Sequence, residues 1–144
     1  MMFSHILTAY DGSESAVKAL KHASSLLRQE SQAKLTVLHV FNFPNVVIGE
    51  AIIPPSTEAK KKSYDEAQSL LEEAKKLAPP VSNEIQWLIA EGDPASTILS
   101  YAEEIEADLI VLGSRGLGEW KELMLGSVSH HVVQHAQVPV LIVK

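Results

Sequence analysis

The stretch "NEIQWLIAEGDPASTILSYAEEIEADLIVLG", residues 83–113, decides the fold. Its two ends, "NEIQWLIAE" (Asn83–Glu91) and "ADLIVLG" (Ala107–Gly113), are short apolar or alternating runs rich in β-branched residues, which is the pattern of strands. Between them Ile98, Ala102 and Ile105 share one face at helical spacing. The link "EGDPAST" offers Asp93 as an N-cap and Pro94 as the first helical residue, where a missing N–H costs nothing. Strand, helix and strand at this spacing form a βαβ unit, whose crossover is right-handed and whose strands lie parallel.

The same rhythm extends in both directions. "FSHILTAY" (Phe3–Tyr10), "AKLTVLHVF" (Ala33–Phe41) and "VPVLIVK" (Val138–Lys144) bring the expected strands to five. Helical stripes run through Ala16, Ala19, Leu20, Ala23, Leu26 and Leu27, through Tyr64, Ala67, Leu71, Ala74 and Ala78, and through Val128, Val132 and Ala136. Ser13 is placed to cap the first helix, and "APPVSN" stops the second. The fold class is therefore α/β: a doubly wound, five-stranded parallel sheet of order 3-2-1-4-5 with helices on both faces, Rossmann-like. A chain of 144 residues without repeats, linkers or low-complexity tracts reads as one domain over residues 1–144. At that length folding buries about 70% of the chain's surface. One connection is unusually long: "NFPNVVIGEAIIPPS", Asn42 to Ser56, carries apolar residues that water does not favour. It is expected to fold back on its own sheet, the other reading being a lid or contact surface.

Bulk properties exclude several classes. The formal net charge is −6, against the basic stripe usual in nucleic-acid binders, so no nucleic-acid partner is expected. No apolar run approaches the roughly 20 residues of a membrane helix, and "MMFSHILTAYDGS" lacks a basic segment followed by a cleavable apolar one. The expected location is the cytoplasm, without membrane association. Cysteine is absent, which removes disulfides, thiolate metal sites and thiol nucleophiles.

The chemistry gathers in "GSRGLGEWKELMLGS", Gly113 to Ser127. A strand feeding a glycine-rich loop that opens a helix presents backbone N–H groups and the positive end of a helix dipole, which suits a phosphate chain. Gly113, Gly116 and Gly126 allow close backbone approach, Ser127 stands at the expected N-cap, Ser129 lies within the first turn, and Arg115 and Lys121 add positive charge. In the 3-2-1-4-5 order this loop meets "AYDGS" at the point where strand order reverses, so Asp11 faces the phosphate cradle and can accept ribose hydroxyls. The same Asp11 can make an Asx-turn into the first helix.

With these residues in place the sequence resembles the universal stress protein family, whose nucleotide-binding members carry Gly-x2-Gly-x9-Gly-Ser/Thr. Here the motif is Gly113, Gly116, Gly126 and Ser127, and "ILTAYDGSESAVKAL" and "GSVSHHVVQHAQVPVLIVK" are similar to the family's opening and ending. The resemblance implies an ATP-binding regulatory protein that acts in the stress response through nucleotide-dependent interaction, with or without Mg²⁺ or Mn²⁺. It implies that Asp11 contacts the ribose, that Ala9 and Val40 line the adenine pocket, and that Gly113, Arg115, Gly116, Gly126, Ser127, Val128 and Ser129 surround the phosphates. It also implies a homodimer through the last strand, in keeping with Val140–Val143, which is apolar on both faces at a sheet edge. The alternatives are an interaction module that uses the loop only structurally, and a slow ATPase or phosphotransferase.

His130, His131 and His135 suggest a metal site less than an exposed helix face, because zinc takes three or four convergent ligands. Trp87 and Trp120 are read as packing residues. "DGSES" (Asp11–Ser15) distantly resembles the turn of ATP pyrophosphatases, but with Gly12 alone it lacks the consecutive glycines of that turn, and adenylation is not expected. The phosphates have no obvious general base beside them, so binding is read ahead of turnover.

Overall fold

Strand β1 (His5–Ala9) runs through the middle of a five-stranded sheet in the computed structural model of the protein, which describes residues 2–116 and 125–144. After it come α1 (Glu14–Arg28), β2 (Lys34–Phe41), a separate hairpin of β3 (Val46–Ile48) and β4 (Ala51–Ile53), and α2 (Thr57–Leu77). The chain continues through β5 (Ile85–Glu91), α3 (Pro94–Glu104), β6 (Leu109–Gly113), α4 (Ser127–His135) and β7 (Val140–Val143). The sheet order is β5-β2-β1-β6-β7 with every pairing parallel, which is the 3-2-1-4-5 order expected from the strand rhythm.

Period-two alternation sends neighbouring residues of each strand to opposite layers. Ile6, Leu35, Val37, Leu109 and Val111 pack under α1 and α2, where Ala16, Ala19, Leu20, Ala23 and Leu27 meet them with Leu71 and Ala74. Leu7, Leu38, Ile110 and Leu112 face α3 and α4, against Ala95, Ile98, Ala102 and Val132. The alanines of α1 let its backbone lie close to the sheet. Trp87 packs against the first of these layers.

Helix starts follow local chemistry. Ser13, Ser56 and Asp93 each accept a first-turn amide with their side-chain oxygen, at the heads of α1, α2 and α3. α4 differs: its N-cap is Gly126, which has no side chain to cap with, and Ser127 is the first helical residue rather than the cap. The shift has a simple cause, since Gly126 is extended (φ −71°, ψ 167°) and the helix begins after it.

The 42–56 connection corrects a second expectation. Instead of folding back on the sheet it forms the β3–β4 hairpin, in register Val46↔Ile53 and Ile48↔Ala51. All six strand residues are exposed, with Val47 at 66%, Ile48 at 62% and Ile52 at 68%. The turn is Gly49–Glu50, with Gly49 at φ +62°, so a glycine-led two-residue loop between apolar runs was the sequence signal for it. Among the described residues no helix is long and apolar enough to cross a membrane.

At the far end of the sheet, Asp108 ties the chain start to β6. Its carboxylate accepts the Ser4 amide at 2.7 Å, the Ser4 hydroxyl at 2.8 Å and the His5 amide at 3.1 Å. Burial pushes the Asp108 carboxyl up, but these hydrogen bonds outweigh it and hold the group below its ordinary value. Burial, aided by Lys34, pushes the His5 imidazole down. Both shifts have one sign: in each case the unfolded chain binds protons that the folded chain does not. Stability should therefore fall in two stages on acidification, from about pH 6.5 as His5 would charge in the unfolded chain, and again below about pH 4 as Asp108 protonates. Asp108→Asn should flatten the lower stage and leave the upper one, which thermal melts between pH 3 and 8 would read.

Candidate functional site

The reversal of strand order between β1 and β6 leaves a crevice beyond the carboxyl ends of the strands, the place where open α/β sheets hold ligands. The loop after β1 and the loop after β6 border it, and the head of α4 closes one side. The resulting cleft holds about 610 Å³, counting its open mouth. One part is apolar, lined by Ala9, Leu38, Val40, Pro94 and Ile98. The polar part presents Asp11, Ser13, Arg115, Gly116, Gly126 and Ser129.

The parallel register explains the apolar wall. Ala9 stands opposite Leu38, and Val40 follows two residues on with its side chain on the same face. Pro94 and Ile98 are four apart on α3, so they share the helix face turned to the same space. Leu38, Pro94 and Ile98 were not foreseen as cleft residues. The i, i+4 spacing of the last two was legible in the sequence, but which cavity they border depends on strand pairing.

Asp11 divides its oxygens. Oδ1 accepts the Ser13 amide at 2.9 Å, closing an Asx-turn. Oδ2 lies towards Gly116, only 2.9 Å from where a Cβ on that residue would sit. Glycine at 116 therefore lets the two loops meet at their ends.

Gly113 meets a tighter limit. A Cβ there would collide with the Ser15 hydroxyl oxygen, and would lie 2.7 Å from the Ser15 carbonyl carbon and 2.9 Å from the Ala16 amide nitrogen. The first glycine of the loop thus lies against the first turn of α1. Beyond it the two ends of the loop are stitched together: the Gly126 amide donates to the Ser114 carbonyl at 2.6 Å, and the buried Ser129 hydroxyl donates to the same carbonyl at 2.9 Å. The Ser129 hydroxyl also lies 3.1 Å from the Gly126 carbonyl, so its single proton is directed into the loop closure.

Of the residues named from sequence, Ala9, Asp11, Val40, Gly113, Arg115, Gly116, Gly126, Val128 and Ser129 all border this cleft. Ser127 does not line it and is an exposed first residue of α4. Lys121 and Trp120 lie outside the described residues, as does the rest of the span "LGEWKELM" (117–124). His130, His131 and His135 are exposed on α4, the last two with rings stacked 4.3 Å apart. Among the described residues no group of three or more histidines or carboxylates is placed to hold a metal ion.

Comparison with known proteins places this geometry in company. The profile of the Universal stress protein family matches residues 2–144. The universal stress protein YxiE of Bacillus subtilis (strain 168) is 40% identical over 149 residues, a match spanning 99% of this chain and 100% of that protein. The solved structure of MJ0577, a universal stress protein of Methanocaldococcus jannaschii, superimposes with a TM-score of 0.83 at 31% identity, covering 100% of this chain and 97% of the other. A universal stress protein solved in complex with cAMP shares the fold, with a TM-score of 0.75 at 24% identity over 100% and 99% of the two chains.

Proposed function

Because the chain belongs to the universal stress protein family, we propose that its cleft binds an adenine nucleotide, with ATP as the ligand, alone or with Mg²⁺ or Mn²⁺. Nucleotide occupancy then regulates interactions of a cytoplasmic homodimer. The observation that carries this reading is the head of α4. The first amides of a helix have no partner inside it. α1, α2 and α3 each satisfy one of them with the side-chain oxygen of their own N-cap, whereas the N-cap of α4, Gly126, has no side chain to offer and lies directly on the cleft. A helix start carries partial positive charge and turns its backbone amides towards the space before it, which favours phosphate.

The remaining roles follow from position. Ala9, Leu38, Val40, Pro94 and Ile98 supply an apolar slot for the adenine ring. Asp11 keeps Oδ2 for ribose hydroxyls while Oδ1 holds its turn. Gly113, Arg115, Gly116, Gly126 and Val128 surround the phosphates, and Ser129 holds the loop closed behind them. A same-fold protein solved with cAMP is in keeping with an adenine ligand. The reading is binding rather than turnover: Asp11 is the cleft's one carboxylate among the described residues, and half of it is engaged by the Ser13 amide.

Titration calorimetry with ATP, alongside mass spectrometry of any nucleotide that co-purifies, tests the proposal. Saturable binding is expected. Gly126→Val, which puts a branched side chain on a buried position at the helix start, should weaken it at least about 10-fold, on the order of the several dipole and hydrogen-bond contributions it displaces. No heat and no co-purified nucleotide at millimolar ATP would remove the reading.

A further inference from the structure

The turn "DGSES" carries two serines, and capping α1 accounts for only the first, Ser13. Ser15 lies in the first turn of the helix, where its side chain is not needed as a cap. Its hydroxyl donates to the Arg115 carbonyl at 2.5 Å, across a sequence separation of 100 residues. The Arg115 amide approaches the same oxygen at 3.4 Å, and the Ser13 hydroxyl approaches the same carbonyl at 3.4 Å. The N-cap Ser13 and Ser15 of α1 therefore converge on one peptide group of the glycine loop, and Gly113 lies against Ser15 closely enough to exclude any side chain.

The geometry points to Ser15 as a positioning residue for the phosphate arm of the nucleotide. This rests on the nucleotide reading above and adds how that site is held. The Arg115 carbonyl and the Gly116 N–H belong to one planar peptide, and among the described residues every peptide bond is trans, so the two groups point in opposite directions. Clipping the carbonyl to Ser15 turns the Gly116 N–H away from α1, and Gly116 is on the cleft wall. A hydroxyl on α1 thereby sets the direction of a loop amide that it never touches. The adenine slot is built from β1, β2 and α3 and has no part in this clip.

That separation gives a test which a general loss of structure would not pass. Calorimetry should show Ser15→Ala binding ATP about 10-fold more weakly than the unaltered protein, with affinity for adenosine unchanged and a thermal midpoint within a few degrees. Ser15→Thr, which keeps the hydroxyl, should restore ATP affinity. Equal ATP affinity in Ser15→Ala, or an equal loss for ATP and adenosine, would overturn the inference while leaving the nucleotide site intact. Absence of ATP binding by the unaltered protein would instead remove the reading on which the inference stands, and the inference with it.

Discussion

Gly113→Ala should abolish ATP binding at millimolar nucleotide and lower the thermal midpoint by roughly 5–10 °C, the shift that about 1–3 kcal/mol of overpacking produces in a chain of this size. The added methyl has nowhere to go. It meets the Ser15 hydroxyl oxygen and backbone atoms of Ser15 and Ala16, and Ala16 and Ala19 already hold α1 hard against the sheet. Relief requires α1 to retreat from β6 or the loop to swing out. Either movement breaks the hydrogen bond between Ser15 and Arg115 and misdirects the loop proposed to face the phosphates. Differential scanning calorimetry and ATP titration of the same preparation read both effects. A variant that melts with the unaltered protein would show that α1 yields freely at this point and would undo the steric account.

Ile142→Pro should convert the proposed homodimer to a monomer at micromolar concentration. β7 is a sheet edge, paired on one side only, by β6. The Pro139 and Val143 carbonyls accept amides of the β6 side, from Ile110 and Ser114. By strand alternation the peptide groups of Ile142 turn the other way, towards the open edge. Proline there removes an outward donor and leaves the β6 ladder in place, which is the one position type where a strand tolerates it. Leu141, 38% exposed, adds apolar surface to the same edge. Light scattering should give half the mass of the unaltered protein. If the unaltered chain is itself a monomer, or if the proline variant remains a dimer, the pairing is not through β7.

The order of the sheet was legible in the sequence because its causes are local. Alternating runs such as "AKLTVLHVF", caps such as Ser13 and Asp93, and the stop at "APPVSN" each act within a few residues, and the alternation of strand and helix then leaves few topologies. The hairpin was missed because each strand has only three residues, too short for a period to register, although Gly49–Glu50 marked its turn. The start of α4 was displaced by one residue because serine is the better capping side chain. The backbone nonetheless turns helical only after Gly126.

The candidate site divides along the same line. Spacing alone located Gly113, Gly116 and Gly126 in one loop and put Asp11 across from them, since a loop after a strand and the switch in strand order are properties of the pattern. Spacing could not say that Gly113 lies against Ser15, that the Ser129 proton turns inward to Ser114, or that Leu38, Pro94 and Ile98 complete an apolar wall. Those facts come from contacts between residues far apart in the chain, such as the one joining Ser15 to Arg115. Periodicity and capping depend on neighbours along the backbone and so can be read from the sequence. Which side chains share a cleft depends on hydrogen-bond register between strands and on how closely each helix approaches the sheet, and only the folded packing decides that.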